Sequence, residues 1–531
     1  MGLFSQLSAH HKRRAENLFG APGTPEIAII GGGFGGIGLS IRLKQIGIST
    51  FRVFEKNAEP GGTWWENRYP GAEVDSPSHL YSLSFKRYAW SRNFARQPEL
   101  LRYMHDIVSE NDLRQHFRFN VQIESVEWDE QTHTHRLRAS DGSTFSAHVV
   151  VSAVGLLNVI NYPAWPGLET FQGPKFHTAR WEDEHDLSGK RVAIVGTGCT
   201  AAQIIPEIAP VVGRLYIFQR EPGHVFKKGV RTFTDQEREK LSRPLAYRME
   251  RIRCFLSTAK VRGLSPSVPG TRLNKQFGQM ALDYIHEVFK DRPDLAEMVT
   301  PKYPFAGKRI ILSDDFYPSL LRKNVELIPK AVARITPTAV IDSAGVEREI
   351  DILVMATGFQ PANFLANLNV TGRDNQSLHD YWDGEPRAVM GTAVARFPNF
   401  FMLYGPNSNG GEILFHQEQQ VGFIVRSLKR MIRRGKTAIE VRESIMTAFN
   451  RWLQSRLQRG AFGRSQFGIK LGYYRSPTGA VVTQWTQGAT LFWLLAQVLS
   501  RLGMVSSLTN HPAGALGREE AKTPFESVAA E

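Results

Sequence analysis

The chain has 531 residues, of which 42% are hydrophobic and 22% charged; this supports two or three domains with full cores and an ordinary globular composition. Only two cysteines occur, Cys199 and Cys254, which excludes a disulfide framework or a cysteine metal centre and points to a reducing cytoplasm with no metal. The net charge of +14 is spread over stretches where acids alternate with bases, as in Arg231 to Arg262 and Arg426 to Arg459, with no nucleic-acid motif; the expectation is a solvated basic surface that draws in anionic nucleotides, not a nucleic-acid partner.

Residues 1–24 read as an N-terminal extension. They carry His10-His11-Lys12-Arg13-Arg14 but no apolar stretch long enough for a signal peptide, and Gln6 breaks the myristoylation pattern that Gly2 would need. Residues 25–160 read as a first dinucleotide-binding unit. A buried strand, Ile27-Ala28-Ile29-Ile30, runs into Gly31-Gly32-Gly33-Phe34-Gly35-Gly36 and a helix predicted from Ile37 to Ile46. Gly31 permits the tight turn, Gly33 lets the backbone approach a pyrophosphate, and Gly36 lets helix and strand close together. The free N–H groups of the helix start suit the phosphates. A second strand, Phe51 to Phe54, ends at Glu55, 19 residues after Gly36. A carboxylate there accepts bonds from ribose hydroxyls and repels a 2′-phosphate, so this unit should take FAD or NAD. The Gly- and aromatic-rich loop Gly61 to Asp75 follows, then alternating strands from Phe119 to Val154, with Val121 among them, that read as a small sheet closing the unit at Ala153-Val154-Gly155.

Residues 161–182 form a linker, and Phe171 to Glu182 within it shows no clean period. Lying between two glycine-rich loops, it must pass where the two nucleotides meet. Residues 183–345 read as a second unit. The strand Arg191 to Val195 leads into Gly196-Thr197-Gly198-Cys199-Thr200-Ala201 and a helix to about Ala209. The next strand, Leu215 to Phe218, ends in Gln219-Arg220. A cation at the ribose position pairs with a 2′-phosphate, so this unit reads as NADPH-specific, with Glu221 an acidic neighbour that softens the preference if it faces the ribose. Cys199 reads as a small residue beneath the phosphate loop. Residues 232–293 form a charged, helical insertion. Residues 346–505 return the chain to the first unit through the strand Asp351 to Phe359, with Thr357-Gly358, and through Phe401 to Gly410, with Asn407; a helix is predicted from about Phe415. The run Leu491 to Val505 is too short to span a bilayer and reads as a helix packed on the protein. Residues 506–531 read as a disordered tail. The fold class is therefore α/β, with two Rossmann-like dinucleotide-binding domains (FAD and NADP) and a helical insertion in the second.

The pattern F-x-G-x3-H-x3-W, spelled here by Phe171, Gly173, His177 and Trp181, resembles the fingerprint of Baeyer–Villiger monooxygenases; Glu182 departs from the Pro or Asp usual after the Trp. Gly61-Gly62-Thr63-Trp64 through Asn67, Tyr69-Pro70-Gly71 to Asp75 resembles a second pattern of that family, as does the continuation to Tyr81. Lys308-Arg309 resembles its Lys-Arg pair, and the stretches 438–457, Tyr473-Tyr474-Arg475 and Trp485 resemble the aryl-ketone branch. The absence of any C-x-x-C pair separates the chain from flavin disulfide reductases. The resemblance implies an NADPH- and O2-dependent flavoprotein that inserts one oxygen atom beside a ketone carbonyl, giving an ester or lactone through a C4a-peroxyflavin. It implies Arg309 and Asp75 as the catalytic pair, with Asp75 beside the flavin ring. For FAD it implies Gly31, Gly33, Phe34, Gly36, Glu55, Gly62, Thr63, Trp64, Asp75, Tyr81 and Val121, joined by Thr357, Gly358 and Asn407. For NADPH it implies Gly196, Thr197, Gly198, Cys199, Thr200, Arg220 and Lys308. His177 and Trp181 are then part of the joint coupling the domains, and the insertion helps shape substrate access. Two other readings are a flavin-containing monooxygenase oxidising sulfur or nitrogen, and a non-catalytic basic-surface binding protein that kept the fold.

Overall fold

The structure is a computed structural model, and it describes residues 3–259, 264–463 and 474–506. The tail expectation for residues 507–531 and the Tyr473 resemblance lie outside the described residues.

Two parallel five-stranded sheets carry the molecule. The first runs in the order Phe400–Met402, Val149–Ser152, Ile27–Ile30, Phe51–Phe54, Phe117–Arg118. Its middle strand Ile27–Ile30 is apolar throughout, and both it and Val149–Ser152 are buried on both faces, as expected where helices cover each side of a parallel sheet. The helix Phe34–Gln45 starts three residues earlier than the sequence suggested, because Phe34 and the glycines after it already lie in its first turn. Gly36 shows why no side chain is tolerated there: a Cβ would sit 2.1 Å from the Gly31 carbonyl oxygen. The antiparallel strands Ile123–Asp129, Thr134–Ala139 and Thr144–Ala147 form the expected small sheet, extended at its edge by Asn369–Thr371.

The second sheet runs Val325–Ile328, Arg214–Phe218, Arg191–Val195, Ile352–Met355, Lys175–His177, all parallel. This moves two boundaries. The strand Ile352–Met355, expected to return the chain to the first unit, pairs with Arg191–Val195 inside the second. The stretch expected as linker supplies that sheet's edge strand, Lys175–His177. A buried apolar strand looks the same from either sheet, so only its pairing decides. The chain re-enters the first unit later, at Asn369–Thr371.

The insertion forms the helices Asp235–Ser242, Pro244–Ala259, Leu264–Ser267 and Arg272–Val288. It leans on the first unit: Tyr247 Oη lies 3.1 Å from Ser82 Oγ, and Arg251 donates to Ser82 Oγ at 2.8 Å. The helix Ala489–Leu502 packs on Ile413–Arg434, where Phe492 stacks on His416 at 4.1 Å and Arg426 donates to Ser500 Oγ at 2.6 Å. No helix among the described residues is long and apolar enough to cross a membrane.

Burial pushes the imidazoles of His79, His148, His177 and His224 down to about 4 and that of His135 to about 3. Unfolded, these rings take up protons near 6.5. The unfolded chain therefore binds more protons below that value, and stability fully present above it drains away as pH falls toward 4. Acidification from about pH 7 to about pH 5 should cost several kcal/mol, of order 1–2 per buried ring. A urea midpoint unchanged between those two conditions would contradict this.

Candidate active site

A cavity of about 850 Å3 opens between the C-terminal ends of the two sheets. One wall comes from the first glycine loop. Gly31 has φ +111° and a Cβ there would meet the Ala153 carbonyl oxygen at 2.6 Å; a Cβ on Gly62 would meet the Gly33 Cα at 3.0 Å. Backbones at that separation leave an open face of N–H groups for a pyrophosphate. Glu55 stands at the end of its strand, 3% exposed, with Oε2 accepting from Gly32 N at 2.7 Å and Oε1 from Asn57 N at 2.9 Å. Burial pushes its carboxyl up, the two backbone donors pulling the other way. An acid so placed has acceptor capacity left for ribose hydroxyls, and the residues fit an adenine dinucleotide without a 2′-phosphate.

The opposite wall comes from the second loop. Gly196 has φ +115°, and a Cβ there would meet the Ala356 carbonyl oxygen at 2.4 Å, whereas Gly198 faces open space. Thr197, Cys199, Thr200, Arg220 and Lys330 also line the cavity. Burial pushes the Cys199 thiol up, and its Sγ lies 3.7 Å from the Ile310 carbonyl oxygen, which fits a small residue beneath the loop and not a nucleophile. Arg220, Lys308 and Lys330 all line the cavity, cations of the kind a 2′-phosphate takes, but Lys308 is ion-paired with Glu221. Glu221 thus occupies the lysine that a phosphate would use.

The two walls meet at Arg309 and Asp75. Lys308 and Arg309 follow Ala306, held at φ +65°, a left-handed conformation that turns the chain sharply. The turn is fastened by Ile311 N to His224 O at 2.9 Å and by Asp314, which accepts from Lys228 N, Gly229 N and Val230 N at 2.8 to 3.0 Å. Arg309 Nη2 then pairs with Asp75 Oδ2 across the cavity. Tyr81 and Trp64 stand beside them, the indole donating to Tyr81 Oη at 3.2 Å, and Phe34 meets Tyr81 edge-on at 5.4 Å. Burial pushes the Tyr81 phenol up to about 12, so it stays protonated.

Gly31, Gly33, Phe34, Glu55, Gly62, Thr63, Trp64, Asp75, Tyr81, Val121, Gly196, Thr197, Gly198, Cys199, Thr200, Arg220, Lys308, Arg309, Thr357 and Gly358 all line this one cavity. Gly36 lies beneath it. Asn407 is corrected: its amide nitrogen donates to Val481 O at 2.7 Å and its backbone N to Val482 O, so it anchors a buried loop instead of facing the cavity. The helix after that turn does reach the cavity, through Ile413, Leu414 and Gln417. The fingerprint residues do not line it either. Gly173 admits no side chain, since a Cβ would sit 2.2 Å from the Asp351 carbonyl oxygen. Phe171 is buried, and Trp181 meets Phe176 edge-on at 5.1 Å. His177 is 1% exposed, accepts from Ala179 N at 3.1 Å and faces the rings of Tyr162 and Phe359. Burial thus keeps this imidazole neutral and outside the cavity lining.

Sequence reasoning missed Gln203, Tyr404 and Lys330. Gln203 couples the units: it accepts from Tyr69 Oη at 3.0 Å and donates to Glu73 O at 3.0 Å. Gly71 closes the same joint, with its Cβ position 2.5 Å from the Gln203 carbonyl oxygen. Below it, Lys228, whose side chain is 1% exposed, pairs with Glu73 at 2.5 Å. None of these pairs has a spacing that a sequence pattern could reveal.

Comparison with known proteins places this geometry. Residues 26–382 match the model of the flavin-binding monooxygenase-like family. A Baeyer–Villiger monooxygenase of Pseudomonas aeruginosa is 36% identical over 93% of this chain and 93% of its own length. Another, of Streptomyces coelicolor, is 34% identical over 86% of this chain and 88% of its own. Among solved structures, a steroid monooxygenase bound to NADP and a closed cyclohexanone monooxygenase each superpose with a TM-score of 0.82, at 27% and 28% identity, over 91% of this chain and 99% of theirs. Two glycine loops of opposite charge preference, a shared cavity and relatives matching nearly end to end lead to one assignment: the chain belongs to the flavin-binding monooxygenase-like family, among its Baeyer–Villiger monooxygenases.

Proposed function

We propose that this protein is an FAD- and NADPH-dependent monooxygenase that inserts one oxygen atom beside a ketone carbonyl to give an ester or lactone. The observation that carries the reading is the Arg309–Asp75 pair, lining a cavity that both dinucleotide loops border. FAD on the first loop supplies the redox and oxygen-activating chemistry, with NADPH on the second as its reductant. Glu55 selects the first nucleotide by its ribose; Arg220 and Lys330 select the second by its 2′-phosphate, with Lys308 shared between that phosphate and Glu221. The Arg309 guanidinium keeps its charge at any working pH. It stabilises the anionic nucleophile and the negative charge that develops on the ketone oxygen. Asp75 fixes the guanidinium in place, and Phe34, Trp64 and Tyr81 exclude water from that corner. A flavin-containing monooxygenase acting on sulfur or nitrogen shares the family model, but the relatives titled Baeyer–Villiger monooxygenase favour the ketone. Two thiols with no oxidising partner favour the cytoplasm. Offering a ketone and a thioether together with NADPH tests the reading: ester should dominate, and sulfoxide as the sole product would overturn it.

The Glu221–Lys308 pair sets a further expectation. Glu221→Ser should free the lysine and remove a like charge facing the phosphate, tightening NADP+ several-fold while leaving NAD+ nearly unchanged. Lys308→Ala should do the reverse. Titration calorimetry with both nucleotides checks this, and a Glu221→Ser protein that binds NADP+ no better contradicts it.

A further inference from the structure

The insertion helix Pro244–Ala259 carries a feature that cofactor binding and oxygen insertion leave unused. Leu245, Met249, Ile252 and Leu256 are 70%, 62%, 54% and 59% exposed. Their spacing of four, three and four residues sets them in one line along the helix. Tyr247 and Cys254, buried at 2% and 6%, lie about half a turn away and face the protein. The orientation is fixed from that inner side, since Tyr247 Oη contacts Ser82 Oγ and Arg251 donates to the His79 carbonyl at 2.5 Å. The apolar line therefore points straight into solvent. Arg248 and Arg253 border it on its two sides, both exposed, and Arg253 is bonded to Glu250 at 2.6 Å. Lys240 adds an exposed basic group just before the helix, as does Arg243, which is paired with Glu239 at 3.0 Å.

An apolar line between two basic edges is the arrangement by which a helix lies in the headgroup region of an anionic bilayer. We infer that this helix docks the protein peripherally on an anionic lipid surface. A second copy of the chain is the weaker occupant. Face-to-face pairing would set Arg248 and Arg253 of each copy against those of the other, in molecules that already carry +14 each. An anionic surface instead attracts those charges. The site is also suitably placed, because Phe255 meets Phe415 at 5.8 Å, and Phe415 adjoins Ile413, Leu414 and Gln417 of the cavity wall. Docking itself is independent of the reaction.

The test is flotation of the flavin-loaded protein with vesicles of phosphatidylcholine alone or mixed with phosphatidylglycerol, at low and high salt. The protein should float with the mixed vesicles, be released by salt, and stay behind with phosphatidylcholine alone. The combined change Leu245→Gln, Met249→Gln, Ile252→Gln and Leu256→Gln should lower the bound fraction roughly tenfold, as should Arg248→Gln with Arg253→Gln. Flavin content and NADPH oxidation should match the parent protein in both variants, showing that the fold is kept. Failure of the parent protein to float with mixed vesicles overturns the inference. So does flotation of either variant undiminished from the parent protein, or a dimer of the parent protein that the four glutamines dissociate, which would assign the helix to a second copy.

Discussion

Arg309→Ala is expected to keep a full complement of flavin and lose ester formation by about a thousandfold. Donors aimed at developing negative charge in a water-excluded site each contribute roughly 3–4 kcal/mol, or two to three orders of magnitude in rate. Arg309 belongs at the upper end because its removal also takes the guanidinium away from Asp75 on the cavity wall, whose carboxylate then opposes the same charge. Flavin should remain, because the guanidinium arrives on the turn after Ala306 while the first dinucleotide loop and Glu55 are built from other segments. Arg309→Lys keeps a charge but not the planar fork and should fall between the two. NADPH oxidation in the Ala variant should continue but yield hydrogen peroxide in place of ester. Rapid ester formation by this variant would remove Arg309 from the chemistry.

Gly31→Ala should yield a protein without bound flavin. Gly31 sits at φ +111°, and an added Cβ would lie 2.6 Å from the Ala153 carbonyl oxygen and 2.9 Å from its carbon. That backbone cannot retreat, since Ala153 N donates to Ile30 O at 2.7 Å at the end of a fully buried strand. The loop must give way instead, and with it the row of N–H groups facing the pyrophosphate. Affinity for FAD should drop at least about a hundredfold, the loss of two or more charge-assisted bonds. Gly142→Ala separates collision from backbone strain: Gly142 has φ +85° with nothing within 4 Å of its Cβ position. That variant should cost about 1 kcal/mol of stability and stay yellow. A Gly31→Ala protein that purifies with stoichiometric flavin would show that the loop does not act as described.

The legible parts of this molecule were those where chemistry and chain are adjacent. A strand, a glycine at positive φ and a helix start follow each other within ten residues, and the acid or cation at the next strand end follows by spacing, so Glu55 and Arg220 could be placed without coordinates. Asp75 and Arg309, 234 residues apart, came only through resemblance to a known pattern; their pairing depends on the turn at Ala306 and the anchor at Asp314, which have no signature. Gln203 and Tyr404 reach the site through packing of elements that read as ordinary helix and strand. The strand Ile352–Met355 was misplaced because four buried apolar residues suit either parallel sheet. Asn407 was misplaced because a turn that binds a ligand with its backbone and one that anchors a buried loop share the same residues. In the insertion, the four charges at Arg248, Glu250, Arg251 and Arg253 mask in the sequence an apolar line that only the inner contacts of Tyr247 and Cys254 orient toward solvent.

The direct measurement is turnover of the purified yellow protein with NADPH and a ketone under isotopically labelled dioxygen, following the product by mass spectrometry. One labelled oxygen atom per ester, with one NADPH consumed for each, is the result that two dinucleotide loops converging on Arg309 require. NADPH consumed with hydrogen peroxide as the sole product from every ketone offered, or ester carrying oxygen from water, would contradict it.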